Sequence, residues 1–250
     1  MARCDSRSFL VWLAGATLLV TTAYSQTKPP DFTGVWAVYR AQPGGDPKLA
    51  PVDGGPLSLK PAFVKAYEAR RAAEAEANQR GEQLANGSAQ CIPYGVPTMM
   101  SVAIYPIEIV ETPRQVTIVS EAFSEVRRVY LDRPQAKPED VAPGYYGRSV
   151  GHWEGETLIV DTIGIKTAVA GYRGMPHSEQ MHITERFSLA APDYLHDQVT
   201  IEDPVVLDKP VVYTLAYKRS PGYEMVEFVC DNNREFVDEK GVVRLRLKDH

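Results

Sequence analysis

The feature that most constrains the fold is a series of short β-rich segments, separated by tight turns, that runs from about residue 102 to the end of the chain. Each segment is rich in Val, Ile, Thr and aromatic residues and is bounded by turn-forming residues, as β-strands are. Turns such as Glu154-Gly155 are too short to contain a helix, so consecutive strands are expected to pair antiparallel as hairpins. The predicted strands are 32–40, 102–111, 115–122, 125–131, 147–153, 156–162, 181–189, 195–202, 211–218, 224–230 and 242–247.

This many strands do not stay in a flat open sheet, so closure into a barrel or a sandwich is expected. We predict a mainly β chain with a single antiparallel β-barrel domain over residues 26–250. One helical pattern, about 58–84, begins near a capping Ser58 and carries Pro61 in its first turn. Its apolar stripe is narrow, which places it on the surface of the domain.

Two segments, 133–146 and 163–179, are long and irregular for a meander of hairpins. Long loops in compact domains are usually functional or disordered. The second contains three glycines and Tyr172, Arg173 and His177, which suits a lid over the barrel mouth. A solvated crossover loop is the alternative.

The N-terminus predicts export. Arg3 and Arg7 precede a run of twelve apolar residues, 9–20, and the small residues Ala23 and Ser25 suit a cleavage site. Because a bilayer span needs about 20 apolar residues, we predict a signal peptide over 1–25 and no membrane span after cleavage. An uncleaved anchor is the alternative. The mature protein would be periplasmic or secreted.

Export also bears on the cysteines. After cleavage two remain, Cys91 and Cys230, and two thiols in an oxidising compartment are expected to form a disulfide. A catalytic or metal-binding thiol pair is the alternative, but neither cysteine lies in a C-x-x-C or C-x-x-H motif.

Composition excludes several functions. With 44% hydrophobic and 24% charged residues the chain is globular, and a net charge of −5 argues against nucleic-acid binding. It contains no P-loop, no dinucleotide G-x-G-x-x-G after a strand and no G-x-S-x-G elbow. We therefore expect a small-molecule ligand or substrate and no cofactor. The sequence does not indicate an oligomeric state.

The densest cluster of chemically active residues spans 176–187. As a strand, it places Met181, Ile183, Glu185 and Phe187 on one face, with His182 and Arg186 on the other. A carboxylate on an apolar face has its pKa raised unless a cation pairs with it, which is what a general acid or base near neutral pH requires. The alternatives are a Glu185 paired with an arginine as scaffolding, or a register that turns Glu185 to solvent.

Other residues complete the candidate site. His177 and His182 are candidate acid–base partners of Glu185, and Tyr145, His152 and Arg186 are candidates for positioning the substrate or stabilising charge. Because the two faces of a strand cannot both line one barrel, an inward Glu185 makes His177 the better partner. A metal held by His177, Glu179 and His182 is an alternative, although no H-E-x-x-H or three-histidine spacing is present.

Four sequence blocks together resemble a large family of uncharacterised exported bacterial proteins. They are Thr33–Trp36 (TGVW), Cys91–Pro97 (C-x-P-x-G-x-P), Gly151–Leu158 (GHWEGETL, with Glu156 where the family usually has Asp) and Pro176–Phe187 (PHSExxHxxERF). The resemblance covers almost the whole mature chain and implies a common fold, with no assigned activity. The meander also loosely resembles lipocalin-like barrels, which include ligand carriers and cofactor-free enzymes.

These observations lead to one functional hypothesis and two main rivals. The hypothesis is an exported barrel enzyme, a lyase, hydratase or isomerase, that performs acid–base chemistry on an apolar or aromatic small molecule. The rivals are a non-catalytic carrier of such a molecule and a metal-dependent enzyme. A structural envelope protein without a cavity is a further alternative.

Overall fold

The computed structural model describes residues 28–85, 91–102, 104–228 and 235–245. The predicted signal peptide and Cys230 lie outside these residues, so export and the disulfide stay predictions. Within the described residues, no helix is long and apolar enough to span a bilayer.

Nine strands form a closed barrel, in which β1 pairs with both β2 and β9. A tenth and an eleventh strand form a separate two-stranded sheet. The strands are β1 Gly34–Val38, β2 Ile107–Thr112, β3 Gln115–Ser120, β4 Glu125–Leu131, β5 Arg148–Glu154, β6 Thr157–Ile163, β7 His182–Ala191, β8 Tyr194–Glu202, β9 Val211–Arg219, β10 Glu235–Val237 and β11 Val243–Leu245. The predicted fold class, a single β-barrel, is confirmed.

One pairing departs from the antiparallel meander. Strands β4 and β5 are parallel, with Val129 opposite Ser149 and Leu131 opposite Gly151. Parallel neighbours need a crossover connection of a dozen or more residues. The long irregular segment after β4 is therefore a crossover, residues 132–147, which carries the chain back to the end of the barrel where β4 began.

Two other predicted elements differ at their bounds. The helix, α1, spans Pro61–Gln79 rather than 58–84, because Lys60 is extended and Gly81 adopts φ +70°. The predicted strand 102–111 begins only at Ile107, because the Tyr105 amide closes a turn onto Val102. Helix α1 lies on the surface as expected, with Ala77 as its buried residue.

The prediction of a strand over 224–230 was wrong for its described part, since residues 224–228 form no strand. Their polar groups and rings have other partners. The Val226 amide donates to the Glu121 carboxylate at 3.1 Å, and Phe228 stacks on Phe123 at 5.4 Å between ring centroids. The segment is thus held by a side-chain hydrogen bond and by ring stacking instead of by pairing with a neighbouring strand.

The segment Cys91–Pro97 closes one end of the barrel. The Glu125 carboxylate accepts hydrogen bonds from the amides of Tyr94 and Gly95 at 2.6 and 2.8 Å. Gly95 has φ +62°, and a Cβ there would lie 2.4 Å from the carbonyl oxygen of Tyr145. Only glycine fits this turn. It directs the chain onward to the buried Met99 and Met100, where Tyr217 donates to the Met100 carbonyl at 2.6 Å.

The segment 163–179 packs against this closed end. Val169 and Met175 are buried, and the Thr98 hydroxyl donates to the Ala170 carbonyl at 2.5 Å. Tyr172 stacks on Tyr213, with ring centroids 4.2 Å apart. Its role as a lid stays a prediction.

Candidate functional site

Glu185 lies inside the barrel, on the face predicted from the alternation of β7, and is fully buried. Its carboxylate pairs with Arg127 of β4, whose Nη1 donates to Oε1 at 2.7 Å while Nη2 contacts Oε2. The Arg127 Nε and Nη2 also donate to Ser149 and Thr162, at 3.2 and 3.0 Å. This is the arginine-paired arrangement that the sequence left open as scaffolding.

A second buried acid, Asp197 of β8, has no such partner. It is fully buried, and neither of its carboxyl oxygens accepts or donates a hydrogen bond among the described residues. Burial raises the pKa of Asp197 well above its usual value, the Glu185 carboxylate raises it further, and Arg127 opposes both effects. The native barrel therefore favours a protonated, uncharged Asp197.

The barrel interior offers little room for a ligand. Its apolar half surrounds a void whose walls include Phe32, Ile118 and Phe187. Between these described residues the void has no space for a water molecule. This part of the interior is therefore closed to a ligand.

His177, the preferred partner of an inward Glu185, lies on a different structural element and bonds to the backbone. Its Nε2 lies 2.9 Å from the Val169 carbonyl oxygen and its Nδ1 lies 3.0 Å from the Ser178 carbonyl oxygen. Among the described hydrogen bonds, none joins His177 to Glu185. The structure does not bring this predicted pair together.

Two further candidates, His152 and Arg186, lie on the outer surface at the β5–β6 hairpin. Both contact Glu154, at 3.3 Å from His152 Nε2 to Oε1 and 3.3 Å from Arg186 Nη2 to Oε2. All three side chains are about half exposed. Tyr145 lies elsewhere, with the Lys166 ammonium 4.9 Å from its ring centroid. Catalytic roles for these residues stay predictions.

A cleft of about 500 Å³ lies on the outside of the barrel. The crossover lies on one side of it and the ends of β6 and β7 on the other. Its apolar lining consists of Ala136, Pro138, Ile163, Met181 and Pro204. Its polar lining consists of Gln135, Asp161, Glu179, Gln180 and His182. A groove of about 400 Å³ adjoins it and shares Gln180, His182 and Pro204 with it.

An Asp–His pair lies in this cleft. His182 Nε2 is 2.5 Å from Asp161 Oδ2, and the Gln135 amide donates to Asp161 Oδ1 at 2.6 Å. The pairing follows from the register, because Asp161 lies opposite Thr184 and thus beside His182 on the outer face of the sheet.

The surroundings of this pair shift both pKa values toward the charged forms. The hydrogen bond to Asp161 raises the pKa of His182, and burial offsets part of that rise. Burial works against the ionisation of Asp161, but the hydrogen bonds from His182 and Gln135 outweigh it and lower the pKa of that carboxyl. Both shifts favour the imidazolium–carboxylate form of the pair.

The proposed metal ligands do not converge. Glu179 and His182 line the cleft, whereas His177 is buried against backbone carbonyls. Within the part of the chain that the structure describes, no group of three or more His, Cys, Asp or Glu side chains is placed to hold a metal ion.

Sequence reasoning missed Arg127 and Asp197. Both carried a detectable signal, since Asp197 is the charged member of an apolar row of alternate positions, and Arg127 lies in a partly apolar row that it shares with Glu125. Arg127 precedes Val129 and Leu131 on one face of β4, and Asp197 lies between Leu195 and Val199 on β8. The role of Gln135 in orienting Asp161 had no comparable signal, because it depends on where the crossover lies.

Comparisons with known proteins add little. No protein-family model matches the chain, and no curated protein matches its sequence. Among solved structures it is similar to the fluorescent protein UnaG, with 14% identity over 76% of this chain and 97% of that one and a TM-score of 0.33. A mutant of UnaG is similar at 14% identity, over 76% of this chain and 96% of that one, with a TM-score of 0.34. At this level the similarity carries no information about ligand or activity.

Proposed function

We propose that this protein is a small-molecule-binding barrel that holds a largely apolar ligand in the cleft between the crossover and strands β6 and β7. The observation that carries this proposal is the cleft itself. Its volume of about 500 Å³ lies within the range of small-molecule sites. An apolar floor formed by the nearly buried Ile163 and Met181, with a few fixed polar groups at the rim, is the usual composition of such sites.

Acid–base catalysis is the competing proposal, and the contacts of His182 favour it less. A general acid or base must present an atom to the ligand within hydrogen-bonding distance. The two ring nitrogens of His182 face Asp161 at 2.5 Å and Glu202 at 3.4 Å. Proton transfer to a ligand would first require one of these carboxylates to move away, whereas binding needs no such rearrangement.

The N-terminal sequence supports a location outside the cytoplasm. The positive start, the short apolar run and the small residues near 23–25 follow the pattern of a cleaved signal. We infer that binding takes place in the periplasm or outside the cell, where a carrier would meet molecules crossing the envelope.

The test is binding of a neutral aromatic probe, 1-naphthalenemethanol, measured by isothermal titration calorimetry. The variant Ala136→Phe places a ring in the cleft and is expected to weaken binding at least tenfold by occupying ligand space. The control Ala72→Phe adds the same ring to the exposed face of α1 and should leave binding unchanged. Equal affinity in wild type and Ala136→Phe would refute the proposed site.

A further inference from the structure

The hydrogen-bond donors of the cleft are largely committed to partners within the protein. The Gln135 amide nitrogen donates to the side chain and the carbonyl of Asp161, at 2.6 and 3.1 Å. Both ring nitrogens of His182 face carboxylates. Gln180 is the remaining neutral polar side chain of the cleft, and an amide both donates and accepts. A ligand carboxylate or phosphate would find no cation free to receive it there.

Two hydrogen-bond acceptors, the carboxylates of Glu179 and Glu202, have few partners among the described residues. Glu179 makes no hydrogen bond or ion pair with any described residue. Glu202, in the adjoining groove, contacts only the His182 Nδ1 in the described structure, at 3.4 Å, and its side chain is 54% exposed. Both carboxylates therefore keep most of their capacity to accept hydrogen bonds. Asp203, by contrast, is saturated by four donors from residues 178, 205 and 206.

The charge of the combined surface is negative. Asp161 and His182 neutralise one another, which leaves Glu179 and Glu202 on either side of the pair. The adjoining groove adds Asp203 and Asp208 against Lys209, and so contributes one further negative charge. A concave surface with excess carboxylates concentrates cations and repels anions.

From these observations we infer that the ligand is a hydrophobic amine, whose apolar body lies in the cleft beside Ile163 and Met181 and whose protonated nitrogen donates to Glu179, while Glu202 in the adjoining groove adds to the negative potential that attracts it. This inference rests on the proposed function and specifies its ligand class. An ammonium group supplies the three donors that the cleft lacks, and an aromatic or branched aliphatic body would cover the floor.

The experiment compares three probes that share a naphthalene body and differ in charge: 1-(aminomethyl)naphthalene, 1-naphthalenemethanol and 1-naphthoate. Binding is measured by calorimetry with the mature chain at pH 7 and low salt. We expect the amine to bind at least tenfold more tightly than the alcohol, as for a charge-assisted hydrogen bond. The naphthoate should bind most weakly. Added salt screens the charges and should reduce the differences in affinity among the three probes.

Two double variants test whether the preference for the amine depends on Glu179 and Glu202. The double variant Glu179→Gln/Glu202→Gln should remove the preference, so that amine and alcohol bind to it with about equal affinity. Its control, Glu156→Gln/Glu239→Gln, makes the same change in net charge at exposed positions outside the cleft and should keep the preference for the amine.

Failure of the two proposals gives different results. If amine and alcohol bind equally to wild type and Ala136→Phe weakens both, the cleft is a binding site but the inferred ligand class is wrong. The same conclusion follows if the preference survives in Glu179→Gln/Glu202→Gln. If no probe binds, or if Ala136→Phe changes nothing, the proposed function fails and the inference fails with it.

Discussion

Replacing Asp197 with asparagine should make the barrel more stable above about pH 5. The side chain is fully buried between apolar neighbours, and its carboxyl oxygens have no hydrogen-bond partner among the described residues. Burial, with the Glu185 carboxylate, raises the pKa of Asp197 in the native state. In the unfolded chain the pKa is about 3.9. Asparagine keeps nearly the same shape and is neutral at every pH.

The sign and size of the effect follow from proton linkage. Between the unfolded and native pKa values the native state binds one proton more than the unfolded state. Wild-type stability therefore falls by about 1.4 kcal/mol for each pH unit in that window, relative to the variant. The contribution of Asp197 is fully present below about pH 3.9 and is lost as the pH rises through the raised native pKa. Asp197→Asn should thus gain on wild type by about 1.4 kcal/mol for each pH unit above about pH 3.9, until the raised native pKa is reached.

The assay is urea unfolding of the protein at several pH values from 5 to 8, followed by far-ultraviolet circular dichroism. The exposed Asp140→Asn serves as the control and should unfold in parallel with wild type at every pH. The reasoning is refuted if the difference between Asp197→Asn and wild type does not grow with pH, or if the variant is the less stable of the two at pH 8.

Three further predictions follow from the other buried and paired groups. Arg127→Met leaves the Glu185 charge buried without its partner and should lower the free energy of unfolding by about 3–5 kcal/mol. The double variant Arg127→Met/Glu185→Leu should recover much of this loss. A double variant as unstable in urea as the single one would contradict the prediction. Asp161→Asn removes the main cause of the raised His182 pKa, so NMR should show the His182 ring titrating at lower pH than in wild type. The protonated His182 stabilises the fold at low pH, and in the variant this stabilisation should be lost at a lower pH as the pH rises. His177→Ala removes the ring contacts to two backbone carbonyls and should destabilise the fold by about 1–3 kcal/mol. The affinity of the cleft for the probe should stay unchanged. Loss of binding in a folded variant would instead connect His177 to the site.

Much of the barrel could be predicted from local patterns. Strands β3 to β9 all coincide with predicted segments to within about two residues at most ends. The alternation in β7 separated Glu185 from His182 onto opposite faces, and the structure places Glu185 inside. The side-chain period of two is a property of each strand alone, so it survives without knowledge of the partner strand. The strand predicted over 224–230 failed in its described part because β-propensity does not reveal that the segment bonds to Glu121 instead.

The candidate site was less predictable. The sequence brought forward 176–187, and His182 and Glu179 of that block do line the cleft. Asp161 was not among the candidate residues, and Gln135 belonged to a loop with no assigned role. Their meeting with His182 depends on the register of β6 against β7 and on the course of the crossover, and neither can be read from a single segment.

By itself, the sequence determined the mainly β character of the chain, the positions of most strands, and which face of each strand is apolar. Those properties follow from side-chain alternation and turn chemistry, which act over a few residues. Only the tertiary structure decided that β4 and β5 run parallel, that Arg127 crosses the interior to neutralise Glu185, and that Asp197 is left without a partner. These depend on barrel closure, which brings together residues tens of positions apart. The cleft is a result of the same closure, since the parallel pair requires a crossover and the crossover forms one of its walls.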